Sequence, residues 1–216
     1  MTEQQSDDNP GGADAGGLPP PRPVRPRHAA SLLLWRHGGQ GVELLMGRRH
    51  RDLRFMPGVW VFPGGRVDRA DHRAGGGPLA PATQRLLELS AKPSLARALA
   101  VCAARELHEE TGLTLLRLDV LHYLTRAITP ADRPIRFHAR FLVAEAKHAS
   151  GTIQGSGELE EVSYIALDAL AGQPTARITD MVIEEFRCWL DAPEKRPLHR
   201  ILGRDNRLPE RLARLP

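Results

Sequence analysis

The sequence predicts an α+β fold, a mixed β-sheet held between helices. Three observations lead there. Apolar and alternating runs that read as strands are interspersed with two long helical patterns. These elements do not follow the regular strand–helix–strand order of a doubly wound parallel sheet. At 41% apolar and 26% charged residues, a chain of 216 residues can bury a core as one domain with appendages.

Residues 1–27 are rich in Gly and Pro, and their only larger apolar residues are Met1, Leu18 and Val24. Such a stretch cannot bury enough surface to offset the entropy of ordering, so it reads as a disordered tail. Within it, Pro19-Pro20-Pro21-Arg22-Pro23 reads as a stiff solvated linker or a polyproline ligand. Ala29 to Trp35 is an apolar run of strand length. Val42 to Gly47 is its antiparallel partner, with Gly38, Gly39 and Gly41 supplying the turn. Val59 to Phe62 is a short strand stopped by Pro63-Gly64-Gly65, which reads as a loop. Gly75-Gly76-Gly77-Pro78 is a loop, and Pro81 to Lys92 a short amphipathic helix through Leu86, Leu87 and Leu89. Leu95 to Thr111 is an alanine-rich helix, with Ser94 as N-cap after Pro93 and Gly112 at its C-terminal end. Arg136 to Ala146 alternates as a strand. Val162 to Ile165 is another strand, and Ala166 to Leu170 the start of a helix. Ile178 to Leu190 is a helix anchored by Met181, Val182, Phe186 and Trp189. The domain is expected over 28–192, followed by a basic, Pro-punctuated extension over 193–216.

Composition excludes several classes. No apolar run approaches the roughly 18 residues of a membrane span. The N-terminus lacks the basic-then-apolar order of a secretory signal. Cys102 and Cys188 are too few for a disulfide framework or a four-cysteine zinc site, so a reducing cytoplasm is expected. The net charge of +4 suits anionic small molecules, but no zinc finger, RNA-binding aromatic signature or dense basic run points to nucleic acid.

The decisive segment is Arg105-Glu106-Leu107-His108-Glu109-Glu110-Thr111-Gly112-Leu113. On a helix, positions i, i+3 and i+4 share a face, so Glu106, Glu109 and Glu110 converge. Three crowded carboxylates repel one another, and a hard divalent cation such as Mg²⁺ or Mn²⁺ removes the repulsion. Arg105 is suited to orient one of them through a paired hydrogen bond. A glutamate triplet standing alone is usually a solvated face. Here Phe62-Pro63-Gly64-Gly65 lies upstream, where backbone can approach a ligand closely.

These residues resemble the Nudix box, G-x5-E-x7-R-E-U-x-E-E-x-G-U, with U bulky and apolar. Gly65 matches the opening glycine, Arg105-Glu106-Leu107 matches R-E-U, and Glu109 to Leu113 matches E-E-x-G-U. The resemblance implies an α/β/α sandwich and a metal-dependent hydrolase of nucleoside-diphosphate compounds. It makes Glu106, Glu109 and Glu110 the metal-binding and catalytic carboxylates, with Arg105 beside them. Gly65 to Arg105 is 40 residues where the pattern has 14, so 26 residues are added, and the insertion is placed at about 69–93. Counting forward from Gly65, the pattern's first glutamate falls on Asp71; counting back from Arg105, it falls on Arg97. Asp68 or Asp71 is the candidate for that role. The added stretch reads as a surface excursion, or as a lid or specificity element.

An interrupted box is similar to the Nudix branch of the peroxisomal coenzyme A diphosphatase and its bacterial relatives. Arg54 to Gly65 reads R-x3-G-x3-F-P-G-G, while Leu44-Leu45-Met46-Gly47-Arg48 only approximates the earlier L-L-T-x-R. Coenzyme A or an acyl derivative is the first substrate candidate. ADP-ribose, NADH or a dinucleoside polyphosphate is the alternative, and a non-catalytic Nudix-like nucleotide sensor the rival from another class. Arg48, Arg49, Arg51 and Arg54 are candidates to hold phosphates because a guanidinium makes paired hydrogen bonds to phosphate oxygens. Arg54 and Arg48 lead that set, beside Gly64 and Gly65. The proton acceptor is one of the box carboxylates or a later glutamate, with Glu158, Glu160 and Glu161 as loop candidates. His108 lies about 200° around the helix from Glu106, away from the acidic face, so a structural or solvent-facing role is expected of it, and Cys102 reads as packing. A homodimer is compatible with the sequence.

Overall fold

The structure, a computed structural model, describes residues 24–53, 56–193, 199–202 and 206–209. The expectations for residues 1–23, including the polyproline segment, and for Arg54 lie outside the described residues.

Strands β1 (Arg27–Gly38) and β2 (Gly41–Arg49) form a hairpin closed by the pair Gly38 and Gly41. A positive φ of 97° at Gly41 explains why glycine is needed there. Strands β3 (Trp60–Val61) and β4 (Gly64–Arg66) follow, then helices α1 (Pro81–Glu88) and α2 (Pro93–Thr111). Next come β5 (Leu113–Leu115), β6 (His122–Ile128), β7 (Phe137–Glu145), β8 (Ala149–Gly151) and β9 (Leu159–Ala166). Helix α3 (Arg177–Asp191) precedes β10 (His199–Leu202) and β11 (Asn206–Pro209). Among the described residues the main sheet runs β11-β10-β6-β7-β1-β2-β3, with β4 paired to β1 and β9 to β2. The β1–β7 and β6–β10 pairs are parallel and the others antiparallel, so the sheet is mixed.

Strand alternation divides the core in two. Leu32, Leu34, Leu45 and Leu142 pack under α1 and α2 on one face. Leu33, Leu44, Met46 and Val143 pack against Phe186, Val182 and Trp189 of α3 on the other. Alanines at 96, 100 and 103 let α2 lie close to the sheet. This is the expected sandwich.

Several local expectations are corrected. Helix α2 opens at Pro93 with Lys92 as N-cap, and Ser94 lies inside it, because proline's fixed φ suits the first helical turn. Ala166 to Leu170 does not start a long helix; a single 3₁₀ turn, Ala169–Gly172, replaces it. Gly64 and Gly65 stand in a strand, not a loop. The stretch 69–93 contributes to the core, burying Leu79 and Leu87 in the α2-side cluster, and Thr83 Oγ1 donates to the Leu121 carbonyl at 2.6 Å. The sheet also continues past residue 192, since β10 pairs with β6.

One end of the α2-side face is polar. Arg126 and Arg140 are cross-strand neighbours, both buried. Arg140 donates to the Ser90 carbonyl at 2.9 Å, and Arg126 Nη1 lies 3.0 Å from His138 Nε2. Burial, then the two guanidinium charges, pull the His138 pKa down to about 3. The unfolded chain takes up this proton near pH 6.5 and the folded one does not until about 3, so the unfolded state binds more protons between those values. Stability therefore falls as pH drops below 6.5, by up to about 1.4 kcal/mol per pH unit, softened by the ring's residual exposure. Urea midpoints at pH 7.5 and 5 should differ more in the wild type than in His138→Gln. Equal differences would rule out His138 as the source.

Candidate active site

The acidic face of α2 and strand β4 meet although they are far apart in the chain. Helix α2 ends where Gly112 takes a left-handed φ of 73°, a position at which a Cβ would stand 2.7 Å from the Thr152 carbonyl oxygen. Just before that end, Glu110 is buried and accepts a 2.8 Å hydrogen bond from the Gly64 backbone N–H. Glu106 lies against Gly65, where a Cβ would come within 2.3 Å of its carboxylate. A Cβ on Gly64 would instead strike the backbone of Ala30 and Ser31 at 2.6 Å. The two glycines thus serve different ends: Gly64 lets β4 approach β1, and Gly65 makes room for a carboxylate. Gly64→Ala should lower thermal stability, because backbone cannot yield cheaply. Gly65→Ala should keep more of its stability yet lose activity, because the side chain of Glu106 must move. Calorimetry and turnover of both variants, compared side by side, check this; equal effects of the two would contradict it.

Arg105 gathers the cluster. Its guanidinium makes a paired bond to Asp71, Nε to Oδ1 at 2.9 Å and Nη2 to Oδ2 at 3.0 Å. Nη1 donates to Glu106 and to Glu109 at 2.8 Å each, and Nη2 to the Arg66 carbonyl at 3.1 Å. Of the two candidate aspartates, Asp71 is 2% exposed and turned inward, and it also accepts from the Asp68 N–H at 2.8 Å. Asp68 is exposed and its side chain meets Arg66. The forward count from Gly65 therefore picks out the aspartate that meets the arginine. Cys102 packs beneath them, its thiol donating to the Gly65 carbonyl at 3.5 Å. Burial and the charges of Asp71 and Glu106 push that thiol up to about 12, so it is an inert packing group.

The electrostatics are those of crowded acids. Burial raises the Glu110 carboxyl to about 8, with Glu106 and Glu158 adding to the rise while the Gly64 N–H and Arg49 oppose it. Burial also raises Glu106, against the pull of Arg105. For Asp71, burial works upward but the Arg105 hydrogen bonds outweigh it and lower the pKa. Among the described residues no three His, Cys, Asp or Glu stand ready as a metal-holding group. The donor set is nonetheless all hard oxygen, suited to Mg²⁺- or Mn²⁺-like ions, and its surplus negative charge is what a dication would offset.

Other predicted residues fall elsewhere. Arg48 alternates onto the α3 face with Leu44 and Met46, and it is tied to Glu160 and Glu161 at 3.0 Å each. It stands on the opposite face of the sheet from the carboxylates. His108 is exposed, with Nδ1 3.1 Å from Thr114 Oγ1, as its helical angle predicts.

The family model described as the NUDIX domain matches residues 95–186. A solved Nudix hydrolase from Alicyclobacillus acidocaldarius is 26% identical, with a TM-score of 0.60, covering 74% of this chain and 90% of its own. A MutT Nudix hydrolase from Burkholderia pseudomallei is 24% identical at a TM-score of 0.51, covering 75% of this chain and 98% of its own. The Nudix domain of Shewanella oneidensis NrtR, solved with ADP ribose, is 16% identical at 0.53, covering 81% and 94%. The last two likenesses bear on the fold alone. No helix among the described residues is long and apolar enough to cross a membrane. The acidic helix beside a glycine strand and the sandwich agree with the matched model: residues 95–186 match the NUDIX domain and the chain has the fold of a solved Nudix hydrolase, which supports an enzyme acting on pyrophosphate bonds.

Proposed function

We propose that this enzyme hydrolyses the diphosphate linkage of a nucleoside-diphosphate derivative, with coenzyme A or an acyl-coenzyme A as the first candidate. The observation that carries the reading is the hydrogen bond from Gly64 to Glu110, which sets the acidic helix against the glycine strand. Glu106, Glu109 and Glu110 would hold Mg²⁺ or Mn²⁺. Such ions neutralise phosphate oxygens and activate water. Arg105 positions Glu106 and Glu109, and Asp71 positions Arg105. Water adds to one phosphorus, the bridging P–O bond breaks, and a carboxylate takes the water's proton. Glu158 is the favoured acceptor. Its charge acts on both Glu106 and Glu110, whereas Glu160 and Glu161 are bonded to Arg48. From coenzyme A the products are a phosphopantetheine and adenosine 3′,5′-bisphosphate.

The R-x3-G-x3-F-P-G-G run and the 26 residues added within the box support the coenzyme A branch over others. ADP-ribose, the ligand of the NrtR domain, NADH and dinucleoside polyphosphates form the second reading. A cytoplasmic location and a homodimer accompany the proposal, checked by fractionation and light scattering. The test is a panel of coenzyme A, acyl derivatives, ADP-ribose, NADH and dinucleoside polyphosphates, each with Mg²⁺ and Mn²⁺. Preference for the coenzyme A compounds is expected. No product from any of them would favour a nucleotide sensor.

A further inference from the structure

Four arginines precede the glycine strand, and the sheet register separates two of them. Side chains along β2 alternate between faces. Leu44 and Met46 enter the α3-side core and Leu45 the α2-side core, so Arg48 belongs to the first face and Arg49 to the second. The irregularity beside Arg49 arises on β9, where Glu160 is the extra residue between the partners of Arg48 and Arg49, so the alternation along β2 continues unbroken. Arg49 therefore shares its face with the carboxylates of α2.

The backbone there is pinned at both polar groups. Arg49 N donates to the Val59 carbonyl and the Gly58 N–H donates to the Arg49 carbonyl, both at 3.0 Å. Next along the chain, the His50 N–H donates to the Glu158 carbonyl at 2.9 Å. This ladder fixes Arg49 beside the segment that carries Glu158, and both charges act on Glu110.

From this arrangement we propose that Arg49 is a specificity residue of the hydrolase site, binding a phosphate of the substrate's diphosphate on the side of the cluster away from Arg105. The inference rests on the diphosphatase reading above. A carboxylate cluster with its cations alone makes no distinction between a diphosphate and other oxyanions. A guanidinium held at its edge adds paired hydrogen bonds to phosphate oxygens and favours substrates that present two adjacent phosphates. Arg49 acts by contact with the substrate and takes no proton.

The test measures ADP binding by calorimetry in the presence of Mg²⁺, and KM and kcat over the same substrate panel. Arg49→Ala should weaken ADP binding and raise KM by about ten- to a hundredfold, the loss expected for hydrogen bonds between charged groups. Turnover at saturation should change much less. Arg49→Lys should recover part of the affinity, keeping charge but not the planar fork. Arg36→Ala, on the exposed β1–β2 hairpin, should leave both measurements unchanged. Wild-type affinity and KM in Arg49→Ala, with its thermal midpoint preserved, would overturn the role of Arg49 and leave the diphosphatase reading standing. Absence of binding and turnover in the wild type across the panel would instead overturn the diphosphatase reading.

Discussion

Glu110→Gln should lower turnover by about a hundred- to a thousandfold while leaving the fold as stable as the wild type, or slightly more so. The amide oxygen still accepts the Gly64 N–H, so the junction between α2 and β4 persists. What disappears is a buried negative charge already pushed toward neutrality by burial and by Glu106 and Glu158. Removing a strained charge does not destabilise a fold, but it removes an oxygen anion where, in the proposed reaction, cations and phosphates would meet. Glu109→Gln should also cut turnover, with little change in stability, because Glu109 is exposed and its bond to Arg105 crosses one helical turn near the surface. Steady-state kinetics with thermal denaturation of both variants separates the effects. Unchanged turnover in both would show that the reaction occurs elsewhere. A collapse of the melting transition in Glu110→Gln would show that this side chain serves the fold.

How much of this was legible before the structure depends on the physics of each element. The helix carrying the glutamates was readable because alanine and leucine periodicity and a terminal Gly112 agree with one another. Strand β6 was missed: it is buried on both faces, so it lacks the alternation that reveals half-exposed strands. Gly64 and Gly65 read as a loop because glycine weakens a strand locally. Only the approach of β1, invisible in one-dimensional order, makes it the residue that fits. The same limit applies to Arg48 and Arg49. Composition makes them equal, and only the parity of β2 puts them on opposite faces. Strands β10 and β11 escaped notice because their segment is basic and interrupted by proline, which lowers strand propensity, while the exposed edge of β6 gives it a partner.

Asp71→Ala should destabilise the protein and impair turnover together, the largest stability effect expected from any single change at the site. Asp71 lies in the stretch 69–93, yet it is inward-facing and accepts from both Nε and Nη2 of Arg105. Breaking a buried ion pair by removing one partner costs about 3–5 kcal/mol, because the other charge is left desolvated. Arg105 keeps Glu106 and Glu109, and about a quarter of its side chain reaches solvent, so the expected loss is about 2–3 kcal/mol. For a chain of this size that corresponds to a fall of about 5–10 °C in the thermal midpoint. Freed from Asp71, the guanidinium is expected to pull harder on the two glutamates and to compete with cations for them. Turnover should therefore fall by more than the population of folded protein accounts for, and added Mg²⁺ should restore part of it. A double-mutant cycle with Arg105→Ala isolates the pair: a coupling of about 2 kcal/mol is expected. Additive effects of the two changes would mean that Asp71 and Arg105 act independently, and the aspartate would then have no part in orienting the acidic cluster.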